Sequence, residues 1–458
     1  MIALCWTRRG QTFHLAEGKP FIWPKANLSF GRRRRYPLAV MSLPAPYPRF
    51  ARSALEEALT DTPVVLVHGP RQCGKTTLAR LVGEALGHTY ITFDDDTQLA
   101  AAMGDPAGFV AGLPPKVVLD EVQRVPNLFL ALKAAVDRER RPGRFILTGS
   151  ANVLLVPKLA DSLAGRMEIL RLHPLTQSEL VRRRPDFLKE LFAGRFHIRR
   201  SARLGTDLAT RIAAGGFPAA LARPTPRRRA AWYRDYVETL VQRDVRGLAR
   251  IASLDALPRL LQLGAGQTAR LMNVAELAGP LGLSRPTIRD YVTLLERVFL
   301  LEHLPPWHSN RLRRLIKTPK LHMGDTGLAT FLLGIDADGL WSDRALFGQL
   351  LETFVFQEVR RQADWQDTPI HFFHFRDKDG AEVDMVLERG AQSLAGIEVK
   401  AAATVTGSDF RGLRKLREAA GPRFAAGVVL YDGESMASFG DGLFAVPIRA
   451  LWGEAPKR

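Results

Sequence analysis

The sequence predicts a multidomain α/β protein, and three observations carry that expectation. A glycine-rich loop joins an apolar strand at residues 64–67 to a helix at 77–86. Helices and apolar strands alternate from there to about Leu172, the signature of a parallel sheet covered by helices. Beyond it lies a mostly helical region, and from about Leu346 the pattern changes again, to one helix followed by short strands, an α+β tail. The length of 458 residues agrees, since single cores stop growing near ~250 residues. The boundaries expected are an extension over 1–45, a nucleotide domain over 46–200, a helical connector over 201–330 and a tail over 331–458.

Composition narrows the classes. Hydrophobic residues at 46% and charged residues at 24% are ordinary for a folded chain and argue against disordered, collagen-like or membrane proteins. The longest apolar runs, such as Pro63 to Val67, fall far short of the ~20 residues that cross a bilayer. Cys5 and Cys73 cannot form a disulfide framework or a cysteine-based zinc site, so a reducing compartment, the cytoplasm, is expected. The net charge of +18 suits a polyanionic partner, although 52 of the 65 basic residues are Arg, which genome composition also produces. Residues 1–40 contribute eight basic residues against Glu17, show no periodicity, and lack the apolar stretch that would make Arg8 and Arg9 part of an export signal. A basic arm and an upstream-extended start, with Met41 opening the ordinary one, are the two readings of that stretch.

The first ordered elements are a helix over Ala51 to Leu59 and a buried strand over Pro63 to His68. The strand runs into Gly69, Pro70, Arg71, Gln72, Cys73, Gly74, Lys75 and Thr76, which fill every fixed position of G-x-x-x-x-G-K-[ST], with Thr77 opening the next helix. Glycines let backbone N–H groups wrap phosphates, the helix N-terminus favours the anion, Lys75 neutralises β and γ charge, and Thr76 ligates Mg²⁺. Cys73 stands at a variable position and reads as a small loop filler.

Next come a strand over Tyr90 to Phe93, followed by Asp94 to Asp96 as turn or cap residues, and an apolar strand from Lys116 that ends in Asp120 and Glu121. This second strand has the Walker B pattern, in which Asp120 holds Mg²⁺ through water and Glu121 polarises the attacking water. The strand Arg144 to Leu147 leads to Thr148, placed to sense a γ-phosphate from the sheet's C-terminal edge. Arg166, in Leu163-Ala164-Gly165-Arg166, either reaches the phosphates, in cis or across a subunit boundary, or is a surface ion-pair residue.

In the connector, the helix around Trp232 to Arg250 carries Arg243, Asp244 and Arg246, which read as an ion-paired face ahead of a phosphate-sensing one. Residues 273–291 then have helix-turn-helix grammar, with Ser284 as N-cap and Ala275, Leu277, Ala278, Ile288, Val292 and Leu295 as an apolar seam. Arg285, Thr287 and Arg289 would face a major groove, and Arg311, Arg313, Arg314 and Lys317 would form a basic wing. A winged helix that contacts double-stranded DNA and one used only for protein packing both fit.

The tail pattern is a helix over Leu346 to Gln362 with strands near His371 to Arg376, Glu382 to Glu388 and Leu394 to Lys400. Asp384, Glu398 and Lys400 form D-x13-E-x-K, and period-two geometry puts Glu398 and Lys400 on one strand face. An exposed charge pair gives the same pattern. Glu382 shares a strand face with Asp384, as a supporting acid or a solvated one.

Two resemblances follow from these residues. The P-loop, Val118-Leu119-Asp120-Glu121-Val122-Gln123, Leu147-Thr148-Gly149-Ser150-Ala151, Leu163 to Arg166, Gly324 to Leu328, Glu382 to Asp384 and Glu398 to Lys400 together resemble the prokaryotic AAA-type ATPases with an uncharacterised C-terminal domain, over roughly residues 50–450. That resemblance implies ATP binding and hydrolysis. The tail pattern resembles the restriction-endonuclease-like PD-(D/E)xK nucleases, which implies that Asp384 and Glu398, with Glu352 as an additional acid, bind Mg²⁺ while Lys400 orients water. The expected protein is thus a cytoplasmic Mg²⁺-dependent ATPase, with ATP, double-stranded DNA and further copies of itself as partners. The alternative is a nucleotide-switched DNA-binding regulator or an assembly protein whose tail does not cleave.

Overall fold

A computed structural model describes residues 47–150, 163–198, 200–245, 255–310 and 318–453. The basic N-terminal stretch, the wing residues Arg311, Arg313, Arg314 and Lys317, and the side chains of Arg243, Asp244 and Arg246 lie outside the described residues.

Five strands form the first sheet: β1 (Val64–His68), β2 (Thr89–Thr92), β3 (Val117–Asp120), β4 (Phe145–Gly149) and β5 (Met167–Arg171). They are parallel, in the order β2-β3-β4-β1-β5. β1, β3 and β4 are buried along their whole length, as continuous apolar strands between two helical layers must be. Alternation assigns the faces: Val65, Val67, Val118 and Ile146 pack with the helix Lys75–Ala85, while Leu66, Leu119 and Leu147 pack with the helix Leu128–Arg138. The strand order places β4 between the P-loop strand and the acid strand, so three C-terminal strand ends meet.

The connector holds the helices Thr206–Ala214, Pro226–Thr239 and Ala256–Gly266, then β6 (Arg270–Leu271), the helix Val274–Ala278, a turn with Gly282 at φ 63°, and the helix Arg285–Arg297. Ser284 caps this last helix by accepting from the Thr287 N–H. β7 (Leu301–Leu304) and β6 flank β8 (Lys320–Met323), both antiparallel to it. Leu277, Ala278, Ile288, Val292 and Leu295 are buried together, whereas Ala275, expected in that seam, faces solvent beside the half-buried Val274.

The tail opens with the long helix Arg344–Ala363, continues through β9 (Ile370–Arg376), β10 (Glu382–Arg389) and β11 (Ser393–Lys400), and adds the helix Arg411–Ala420 before β12 (Phe424–Tyr431), β13 (Ala437–Ser438) and β14 (Leu443–Pro447). Its sheet order is β13-β14-β12-β11-β10-β9, with β9, β10 and β11 antiparallel and β11, β12 and β14 parallel. The long helix packs Phe347, Leu350 and Val355 with Met385, Leu387 and Ile397 on one face, and Leu413 and Leu416 pack with Val383, Val386 and Val429 on the other. The first of these cores continues without a break from the connector into the tail.

Candidate nucleotide site and the tail carboxylates

The P-loop is shaped by what its backbone must pass. A Cβ on Gly69 would lie 2.0 Å from the Leu172 carbonyl oxygen, so only glycine lets the loop leave β1 beside β5. Gly74 adopts φ 100° and hands the chain to the helix Lys75–Ala85. The buried Lys75 Nζ donates to the carbonyls of Gly69 at 3.1 Å and Pro70 at 2.8 Å, which holds its charge inside the loop. Cys73 is buried, and its Sγ donates to the Leu172 carbonyl at 3.3 Å, the filling role expected of it. Arg71 and Gln72 form the loop's outer turn, Gln72 at φ 59°, and Thr77 is exposed in the first helical turn.

At the neighbouring strand ends, Asp120 is buried and fully engaged. Its Oδ1 accepts from Thr76 Oγ1 at 2.9 Å and from Thr148 Oγ1, and its Oδ2 accepts from the Tyr90 hydroxyl at 2.7 Å. Glu121 follows at φ 60°, its N–H donating to Thr148 Oγ1 at 3.2 Å and its carboxylate accepting from Gln123 Nε2, which also reaches Ser150 Oγ at 3.2 Å. Burial, reinforced by Asp120, pushes the Tyr90 phenol up to about 12, so it remains a donor at neutral pH. Phosphate-wrapping glycines, a lysine and a hydroxyl touching a carboxylate at a strand terminus make a donor set that fits a nucleotide with Mg²⁺. Tyr90 was not anticipated; its position on β2, paired with β3, was the available signal.

Arg166 requires a correction. β5 runs parallel to β1 with Met167 opposite Val64, so Arg166 lies at the sheet's N-terminal edge, whereas the P-loop leaves the C-terminal edge after His68. The strand between them spans roughly 16 Å. Its guanidinium instead bonds Asp137 and the Ala164 carbonyl, which excludes the in-cis role.

Residues remote in sequence clamp the loop. Arg49 donates to the Cys73 carbonyl at 2.5 Å, to the His173 carbonyl at 2.6 Å and to Glu179 at 3.0 Å. From the connector helix Pro226–Thr239, Trp232 Nε1 donates to Gln72 Oε1 at 3.0 Å, so this helix touches the P-loop. His68 packs against Phe299 with ring centroids 5.0 Å apart, and burial with the charges of Arg171 and Lys75 lowers its pKa to about 4. The long tail helix reaches the same domain: Glu358 accepts from the Gln177 N–H at 2.9 Å, with its carboxyl pushed up to about 7 by burial, and Arg361 donates to the Leu175 carbonyl at 2.9 Å.

The tail acids come together, with an addition that sequence spacing did not disclose. Lys320 on β8 donates to Glu352 Oε1 at 2.7 Å and to Asp384 Oδ1 at 3.0 Å. Asp384 Oδ2 accepts from the Val399 N–H at 2.9 Å, and Lys400 Nζ donates to Glu398 Oε1 at 2.9 Å. A register shift in β10 between Val383 and Val386 falls at Asp384, the kind of bulge that re-aims a side chain. Burial, then the negative charge of Asp384, pushes Glu398 up to about 8. Burial opposes the charge on Lys320, but Asp384 and Glu352 outweigh it and hold the amine protonated. Among the described residues no group of three or more His, Cys, Asp or Glu is arranged to hold a metal. The metal role expected of Glu352, Asp384 and Glu398 therefore meets an ammonium group already placed between two of them. Glu382 is half-exposed and pairs with Arg376 at 3.0 Å.

The profile of the AAA domain matches residues 61–181, and two domains of unknown function, DUF8612 and DUF4143, match residues 205–339 and 347–451. The uncharacterized proteins Rv2008c of Mycobacterium tuberculosis and Mb2031c of Mycobacterium bovis are each 31% identical over 402 residues, covering 87% of this chain and 83% of theirs. Among solved structures, the Walker-type ATPase PABY2304 of Pyrococcus abyssi aligns at 16% identity over 63% of this chain and 96% of its own, with a TM-score of 0.39. The Holliday junction branch migration motor RuvB of Thermotoga maritima aligns at 19% identity over 57% of this chain and 90% of its own, with a TM-score of 0.27. No helix among the described residues is long and apolar enough to cross a membrane.

Proposed function

Since this chain belongs to one family with the mycobacterial proteins Rv2008c and Mb2031c and carries the AAA domain of a P-loop ATPase, we propose that it binds ATP with Mg²⁺ and hydrolyses it. The observation that carries this reading is the junction of Thr76, Asp120 and Thr148, where P-loop hydroxyl, acid and sensor threonine meet at three adjacent strand ends. Backbone N–H groups from Arg71 to Thr77 would take the phosphates and Lys75 the β and γ charge, while Thr76 and Asp120 would hold the metal. Mg²⁺, when bound, supplies neutralisation of charge on the transferred phosphoryl group. Glu121, steadied by Gln123, would accept the proton of the attacking water, and Thr148 would fix both acids relative to the γ-phosphate. A fluorescent ATP analogue should bind the wild-type chain and lose at least about tenfold in affinity in Lys75→Ala, a loss of ~1.4 kcal/mol. Equal affinity in the variant would remove the P-loop assignment.

A second element of the reading is DNA contact through the connector. The succession of helix, strand, helix, turn, helix and two antiparallel strands supports a winged helix, and Arg285 and Arg289 are exposed opposite the buried Ile288 and Val292. Replacing both arginines by alanine should weaken duplex binding and reduce its salt dependence; unchanged affinity would leave the module to protein packing. The tail's succession of a helix, three antiparallel strands, a helix and parallel strands supports an endonuclease-like fold. With Lys320 between its acids, the form of the reading we favour is an ATPase whose tail does not cleave, so plasmid nicking with Mg²⁺ or Mn²⁺ should be absent and unaffected by Lys400→Ala. Arg166, at the sheet edge away from its own P-loop, would serve catalysis only across a boundary in a homo-oligomer, and the two cysteines suit a cytoplasmic protein.

A further inference from the structure

The carboxylates that sequence spacing assigns to a metal face a cation supplied by the chain itself. Lys320 lies on β8, the central strand of the connector sheet, and is 6% exposed. Its two partners come from different tail elements, Glu352 from the long helix and Asp384 from the bulge in β10. The second oxygen of Asp384 is taken by the Val399 N–H, and one oxygen of Glu398 by Lys400, which leaves Glu398 Oε2 buried without a hydrogen-bond partner. Mg²⁺ demands about six oxygens at ~2.0–2.1 Å in near-octahedral array. An ammonium bound to the same oxygens both occupies them and repels a dication. The donor set, with Lys320 in place, does not fit a divalent metal.

We propose that Lys320 is the resident cation of this cluster, inserted from the connector in place of a metal, so that the tail is locked onto the connector instead of equipped for metal-dependent cleavage. A buried lysine is tolerated only when paired, and buried carboxylates only when compensated, so each side of the lock needs the other. One amine joins β8 to both the long helix and β10. The same helix carries Glu358 and Arg361 against the nucleotide domain, so the lock sits on the element that spans from tail to ATPase.

The test is Mn²⁺ binding by the full chain without nucleotide, read from loss of the free-ion electron paramagnetic resonance signal. Wild type and Asp384→Asn should give superimposable titrations. Lys320→Met should gain one Mn²⁺ per chain, bound at least about tenfold more tightly than any Mn²⁺ on wild type, and lose it again when Asp384→Asn is added. A wild-type stoichiometry that falls by one in Asp384→Asn would overturn the proposal, as would a folded Lys320→Met with no added Mn²⁺. Should Lys320→Met fail to fold, the comparison of wild type with Asp384→Asn decides alone.

Discussion

Replacing Gly69 with alanine would place a methyl carbon 2.0 Å from the Leu172 carbonyl oxygen and 3.0 Å from its carbon. Neither atom belongs to a side chain that can swing aside. The Leu172 N–H is itself bonded to the His68 carbonyl at 2.7 Å, so the carbonyl cannot retreat without loosening β5 from the end of β1. Restoring an ordinary contact needs a shift of about 1 Å in the P-loop backbone, and overpacking of this kind costs roughly 1–3 kcal/mol. Borne by the phosphate-binding conformation, that cost predicts a ten- to hundredfold loss of ATP affinity, at about 1.4 kcal/mol per decade. The assay is a fluorescent-nucleotide titration beside a thermal melt of Gly69→Ala, with Gly104→Ala as control, since a Cβ there meets nothing within 4 Å. Wild-type affinity in a Gly69→Ala protein, whether or not the melt had shifted, would mean that the loop does not need the close pass beside Leu172.

Three further outcomes follow from the same geometry. Arg49→Ala removes a cation from Glu179, whose side chain is 1% exposed, and donors from the carbonyls of Cys73 and His173; urea unfolding should show about 3 kcal/mol lost, and a change below ~1 kcal/mol would contradict the clamp. His68 has its pKa lowered from 6.5 to about 4, so between those values the unfolded chain binds a proton that the folded chain refuses, and stability present above pH 6.5 is lost as pH falls toward 4. Unfolding free energies of wild type and His68→Phe should therefore diverge in slope by up to ~1.4 kcal/mol per pH unit in that window, and parallel curves would refute it. Arg166→Ala should leave ATP affinity unchanged at concentrations where the chain is monomeric; a large loss there would restore the in-cis role that the strand direction excludes.

The candidate nucleotide site was legible because the chemistry proposed for it fixes residue types at short spacings: G-x-x-x-x-G-K-T after an apolar strand, and Asp120-Glu121 at the end of another. The two acids and Thr148 needed only strand ends to be assigned, and parallel pairing of β1, β3 and β4 brought those ends together. What was not legible depends on pairings distant in sequence. Arg166 follows a suggestive local string, yet which end of the sheet it occupies is decided by the register of β5 on β1. Arg49 meets Glu179 across 130 residues, and Lys320 meets Asp384 across 64, so no periodicity announces either contact. Ala275 fell on the wrong side of its helix because the helix is only five residues long, too short for an apolar stripe to define a face.

Hydrolysis of ATP at the P-loop is read from phosphate release measured with and without Mg²⁺ on wild type and Glu121→Gln. Turnover in wild type should depend on Mg²⁺ and fall at least about a hundredfold in Glu121→Gln, with ATP still bound by the variant. Turnover that is indifferent to Mg²⁺, or undiminished in Glu121→Gln, would contradict it.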